Sequence, residues 1–140
     1  RQRLVSVLES RCFRERGLMV RINGLDRPKE AIKDLQACLH PDIDLLILPM
    51  LTGAEDVRRF DHLVSAEEIR IGLKPGTVGF LCLLERPAAV LEAKAIVGAS
   101  PRVKAVGFGH ADFLAELGGV ASDATLGMAW GWGTFKVIGP

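Results

Sequence analysis

The chain has 140 residues, 49% hydrophobic and 25% charged, with a formal net charge of +1. That size and balance describe a single globular domain at most, with neither the basic excess of a nucleic-acid binder nor the apolar run of roughly 20 residues that spans a bilayer. Cys12, Cys38 and Cys82 are odd in number, widely spaced and set in apolar surroundings, which fits a reduced, cytoplasmic protein rather than a disulfide framework. The chain opens at Arg1, inside an expected helix and with no signal-peptide pattern, as a fragment of a longer protein would.

From Arg1 to Arg16 the apolar residues Leu4, Leu8 and Cys12 recur at four-residue spacing beside Val5 and Phe13, predicting an amphipathic helix that Gly17 stops. Leu18 to Asn23 is a short apolar strand carrying Arg21 near its end. Asp26 and Pro28 signal a helix start, and Ala31, Ile32, Leu35 and Leu39 give that helix an apolar face before His40-Pro41 closes it. Ile43 to Leu48 is a nearly continuous apolar strand, as expected where helices cover one face and core the other. Thr52-Gly53-Ala54-Glu55 has capping-box spacing, which assigns Glu55 to the start of the next helix. Ser65-Ala66-Glu67-Glu68 reads as another short capped turn, followed by a strand or extended connection over Ile69 to Leu73.

Val78 to Phe113 organises the rest. An apolar strand ends at Leu83-Leu84-Glu85, Pro87 opens a helix, and a second apolar strand runs into Gly107-Phe108-Gly109-His110-Ala111-Asp112. Four βα units are visible, the signature of a parallel α/β sheet or barrel. A closed (β/α)8 barrel needs about 250 residues, so the expectation is a partial barrel over 1–117. Residues 118–140, with Gly118, Gly119, Gly127, Gly131, Gly133 and Gly139, form a glycine-rich tail expected to be irregular.

Crossovers in a parallel sheet return the chain to the same edge, so Glu85 and Asp112, one βα unit apart, should converge on one rim. Two carboxylates there suit a hard cation such as Mg²⁺, whose remaining ligands come from water and substrate. Each acid has a plainer reading as a helix-start residue favoured by the helix dipole. Arg21 either grips an anion at the rim or forms a structural ion pair. His110 is either a base or a loop-lining residue, while His40 and His62 belong at helix ends on the surface. Gly107 and Gly109 invite a dinucleotide reading, but Asp112 replaces the third glycine of the fingerprint. Gly131 and Trp132 occupy the region where a ribose-binding acid belongs, which also argues against that reading.

Val20-Arg21-Ile22-Asn23, Leu48-Pro49, Leu83-Leu84-Glu85, Gly107-Phe108-Gly109 with Ala111-Asp112-Phe113, and Leu117-Gly118 together resemble successive strand ends of the HpcH/HpaI aldolase and citrate lyase beta-subunit family. The resemblance implies a phosphoenolpyruvate-binding type TIM barrel, of which this chain covers the central part. It also implies a carbon-carbon lyase or aldolase that uses Mg²⁺ or Mn²⁺ on a small oxo-acid or acyl-CoA ester. On that basis Glu85 and Asp112 match the metal ligands, Arg21 the catalytic and substrate-holding arginine, and Gly109 a substrate contact. No residue matches a general base. Met50 stands where citrate lyase-like members often carry lysine, closer to the aldolase branch. A homo-oligomer is expected of a full-length parent, with no nucleic-acid or membrane partner. The other reading of the chain is a non-catalytic fragment or assembly subunit that needs a partner to complete the barrel.

Overall fold

The structure, a computed structural model, describes residues 17–119, Ser6 and residues 136–137. Apart from Ser6, the expected helix over 1–16, Cys12 included, lies outside the described residues, as do tail positions 120–135 and 138–140. Apolar runs form the parallel strands β1 (Met19–Arg21), β2 (Leu45–Leu48), β3 (Gly79–Leu84) and β4 (Val103–Phe108), hydrogen-bonded in sequence order. The crossovers carry α1 (Pro28–Cys38), α2 (Ala54–Arg70), and the pair α3 (Pro87–Leu91) and α4 (Ala93–Val97). A further helix, α5 (His110–Glu116), follows β4, giving the four βα units expected of a barrel segment. Within the glycine-rich tail, β5 (Lys136–Val137) pairs antiparallel with β4, Lys136 opposite Val106 and Val137 opposite Ala105.

Strand periodicity sorts the side chains. Val20, Ile22, Leu46, Leu48, Phe80 and Cys82 are buried in the core shared with Ala31 and Leu35 of α1 and Val57, Phe60 and Val64 of α2. Full burial of such aliphatic and aromatic side chains contributes about 1.5–3 kcal/mol each. Alternate positions such as Met19, Arg21, Leu45 and Ile47 remain partly exposed. Burial pushes the Cys82 thiol up to about 12, so it packs as a small apolar residue, and Cys38 is also a buried free thiol.

The segment over 65–73 departs from expectation. No capped turn or strand forms there, because α2 runs unbroken to Arg70 and Ile71-Gly72 turn the chain. With no glycine or proline between Ser65 and Arg70, nothing stops the helix, and Glu67 pairs one helical turn on with Arg70. Glu68 points inward and accepts the amides of Val78 at 2.8 Å and Gly76 at 2.9 Å. Gly76 has φ +94°, a conformation that leaves little choice but glycine. The capping box is displaced too. Glu55 pairs with Arg58 and Arg59, whereas Thr52 donates its amide at 2.8 Å and its hydroxyl at 2.6 Å to Asp56. The single helix expected after Pro87 is two short ones, interrupted at Glu92.

Arg102 closes the N-terminal end of the sheet. Its guanidinium donates to Glu68 Oε1 at 3.0 Å and Oε2 at 2.6 Å, to Ser65 Oγ at 2.7 Å, to the Val78 carbonyl at 2.9 Å and to Asp61. It also lies over the Phe80 ring, 5.6 Å from the centroid. Burial opposes charge on Glu68, but the Arg102 guanidinium and the two amides outweigh it and hold the carboxyl below its usual range. Asp61 is also held low, the hydroxyl of Ser100 and the Arg102 guanidinium overcoming its burial.

Candidate active site

Because β1 to β4 are parallel, their C-terminal ends share one rim, where β1 ends on Arg21 and β3 just before Glu85. Glu85 directly follows β3 and is 3% exposed. Its Oε1 accepts the Met50 amide at 2.7 Å and lies 3.9 Å from Arg21 Nη2. The Asp112 side chain, on the first turn of α5, is near enough to act on the same carboxyl group. The acids expected to converge across one βα unit therefore do so, and Arg21 joins them from β1. Glu85 does not cap α3, whose N-cap is Arg86.

The carboxyl of Glu85 is pushed above its usual range, first by burial and then by the nearby Asp112, against the opposing pull of the Met50 amide and Arg21. Two acids held together beside the mostly exposed Arg21 guanidinium are a donor set that suits a hard divalent cation. Among the described residues, no group of three or more His, Cys, Asp or Glu side chains could hold a metal. Glu85 and Asp112 are two carboxylates that could hold Mg²⁺, which often takes only one or two from protein.

Gly109 makes the geometry of Glu85 possible. Its amide donates to the Leu84 carbonyl at 3.1 Å, and a Cβ on it would run into the Glu85 Cβ and sit 2.8 Å from Oε2. Glycine is required there by close approach, whether or not a substrate also touches it. Arg86 ties this loop to α5, its Nη2 donating to Glu116 Oε1 at 2.7 Å. His110 begins α5 with its Nε2 buried and without a hydrogen-bond partner among the described residues. His62 is exposed, and His40 is half-buried beside Asp42.

A cavity of about 470 Å³ opens on this rim, lined by Arg21, Asn23, Asp34, Met50 and Asp112 among others. Asn23 and Asp34 are not among the site residues expected from the sequence. Asp34 Oδ2 accepts the Asn23 backbone amide at 3.0 Å and its side-chain Nδ2 at 2.6 Å. The signal that was available is the strand-end position of Asn23, two residues past Arg21 on the same rim. Met50 had no such signal. It is the described non-glycine residue with positive φ, at 56°, and methionine has no preference for that conformation.

The sequential parallel sheet, with acids and an arginine on its C-terminal rim, places the chain among α/β proteins of the (β/α)8-barrel type. A sequence model of the HpcH/HpaI aldolase/citrate lyase family matches residues 1–129, and the chain belongs to that family. It is 34% identical over 121 residues to L-malyl-CoA/beta-methylmalyl-CoA lyase of Cereibacter sphaeroides, covering 84% of this chain and 37% of that protein. It is 28% identical over 117 residues to citrate lyase subunit beta of Escherichia coli, covering 84% and 38% respectively. The chain thus spans little more than a third of these relatives. Among solved structures, malate synthase of Haloferax volcanii in a lead(II) complex superposes with a TM-score of 0.73 at 16% identity, over 86% of this chain and 39% of that one. A citrate lyase from Burkholderia xenovorans superposes with a TM-score of 0.66 at 21% identity, over 89% and 40%. No described helix is long and apolar enough to cross a membrane.

Proposed function

We propose that this chain carries the metal and oxo-acid site of a divalent-metal-dependent carbon-carbon lyase or aldolase that acts on an oxo-acid or an acyl-CoA ester. The observation that carries the reading is the meeting of Glu85 and Asp112 beside Arg21 on the C-terminal rim of a parallel sheet. Glu85 and Asp112 hold Mg²⁺ or Mn²⁺, and Gly109 leaves room for the Glu85 carboxylate. The bound cation supplies Lewis acidity at the oxo and carboxylate oxygens of the ligand. Arg21 extends its guanidinium from the end of β1 and adds positive charge where negative charge builds on the oxo oxygen as the carbon-carbon bond breaks or forms. The Met50 amide holds one Glu85 oxygen, which fixes the direction the other presents. The same reading assigns the chain to the cytoplasm, with a small-molecule ligand, no nucleic-acid partner and a homo-oligomeric parent.

Calorimetric titration with Mn²⁺, with and without oxaloacetate or pyruvate, tests this. Wild type is expected to bind Mn²⁺, and more tightly with the oxo-acid present, while the Glu85→Gln/Asp112→Asn double variant does neither. Equal behaviour of the two proteins would overturn the reading.

A further inference from the structure

Asn23 and Asp34 line the same cavity as Arg21 and Asp112, yet neither is a metal ligand in the reading above. Their pairing determines which way the Asn23 amide faces. An ionised carboxylate only accepts hydrogen bonds, so the atom 2.6 Å from Asp34 Oδ2 must be the donating Nδ2 of Asn23. The Asn23 backbone amide donates to the same oxygen at 3.0 Å, so backbone and side chain are pinned together at the end of β1. One N–H of the amide nitrogen is committed to Asp34, and no hydrogen bond reaches the amide oxygen from the described residues.

Resting on the proposed lyase site, we infer that Asn23 is a specificity-determining residue whose Oδ1 accepts a hydrogen bond from a hydroxyl on the bound acid, and that Asp34 is the positioning residue that keeps this oxygen turned toward the ligand. The ligand class is a hydroxy acid, the form in which the bond to be cleaved lies next to a hydroxyl-bearing carbon. The chemistry is complementary. Arg21 carries donors only and suits carboxylate or oxo oxygens, whereas Asn23 Oδ1 is an acceptor and suits a group that still holds its proton. An amide oxygen is far too weak a base to remove that proton, so Asn23 orients the hydroxyl and leaves proton transfer to another group. Were the amide reversed, its NH₂ would favour an oxo oxygen, so the orientation set by Asp34 determines which partner is preferred.

The probe is a pair of acids that differ by one hydroxyl, L-malate and succinate, titrated into the Mn²⁺-loaded protein. Wild type is expected to prefer malate. Asn23→Ala, which keeps the backbone amide that donates to Asp34, is expected to lose about five- to tenfold of that preference. Asp34→Asn can pair with either end of the Asn23 amide, so it is expected to lose part of the preference while succinate binding and Mn²⁺ affinity hold. A role in folding alone would weaken both acids equally and leave their ratio unchanged. The inference fails if Mn²⁺ binds wild type and both variants but the malate-to-succinate ratio is the same in all three. If Mn²⁺ does not bind wild type, the lyase reading fails and this inference falls with it.

Discussion

Glu68 and Glu85 are both buried, at 0% and 3% exposure, yet they lie at opposite ends of one sheet in opposite electrostatic states. Glu68, at the N-terminal end, meets a two-point guanidinium and two backbone amides, and its charge is fully compensated. Glu85, at the C-terminal end, meets one amide, an arginine 3.9 Å away that is mostly exposed, and a second acid. The first arrangement favours the folded state and has nothing left to bind. The second is under-compensated, which is what the proposed cation site requires. The stabilising network and the proposed ligand site thus lie at opposite ends, as they do in (β/α)8 barrels generally.

The contrast can be broken most severely at Arg102. Arg102→Ala leaves Glu68 and Asp61 without their counter-charge, and urea unfolding at neutral pH is expected to show a loss of roughly 3–5 kcal/mol. A loss under about 1 kcal/mol would mean that the network is no more than a surface-type ion pair. At the other end, Glu85→Gln is expected to lower Mn²⁺ affinity at least about 100-fold, while the metal-free protein is no less stable than wild type at pH 7. A variant that keeps its metal, or that unfolds readily, would contradict the division.

The two ends also respond oppositely to pH. The carboxyls of Glu68 and Asp61 are lowered on folding, so their contribution is complete above their ordinary values of 4.5 and 3.8 and is lost as pH falls through the lower folded values. The carboxyl of Glu85 is raised on folding, so its contribution is complete below 4.5 and is lost as pH rises through the higher folded value. Metal-free wild type is therefore expected to gain stability as pH falls from neutral toward 4.5, and to lose it below that. Thermal melts of Glu85→Gln should lack the upper slope and keep the lower one. The smallest expected effect is at Met50. Replacing it with glycine at φ 56° relieves about 1 kcal/mol of backbone strain, measurable as a rise in urea midpoint, and loosens the amide that holds Glu85.

The two ends were not equally legible in the sequence. Arg21, Glu85 and Asp112 each stand at or just past the end of an apolar run, and strand-end logic in a parallel fold brings such residues to one rim. The Arg102 network was missed because Asp61, Ser65 and Glu68 sit on a helix and meet Arg102 only across long sequence separations. Ser65 to Glu68 also mimicked a turn. One clue was present: Glu68 continues the apolar stripe Val57, Phe60 and Val64 at helical spacing, and a carboxylate on a buried stripe demands a buried partner. The left-handed Met50 depends on loop conformation, which periodicity does not encode, and the partner of strand-end Asn23 is Asp34 on α1, a pairing that only the βα packing reveals. Gly109 is expected as a substrate contact from the resemblance, and its closeness to Glu85, legible only in the structure, gives a separate reason for glycine there.

The most direct test is a ¹³C NMR titration of the labelled glutamate carboxyls, with and without Mg²⁺. Glu68 is expected to titrate below the ordinary range whether or not Mg²⁺ is present. Glu85 is expected to titrate above it in the metal-free protein and to fall well below it once Mg²⁺ is added. A Glu85 carboxyl that titrates in the ordinary range or lower and ignores Mg²⁺ would contradict the assignment of this rim as a cation site.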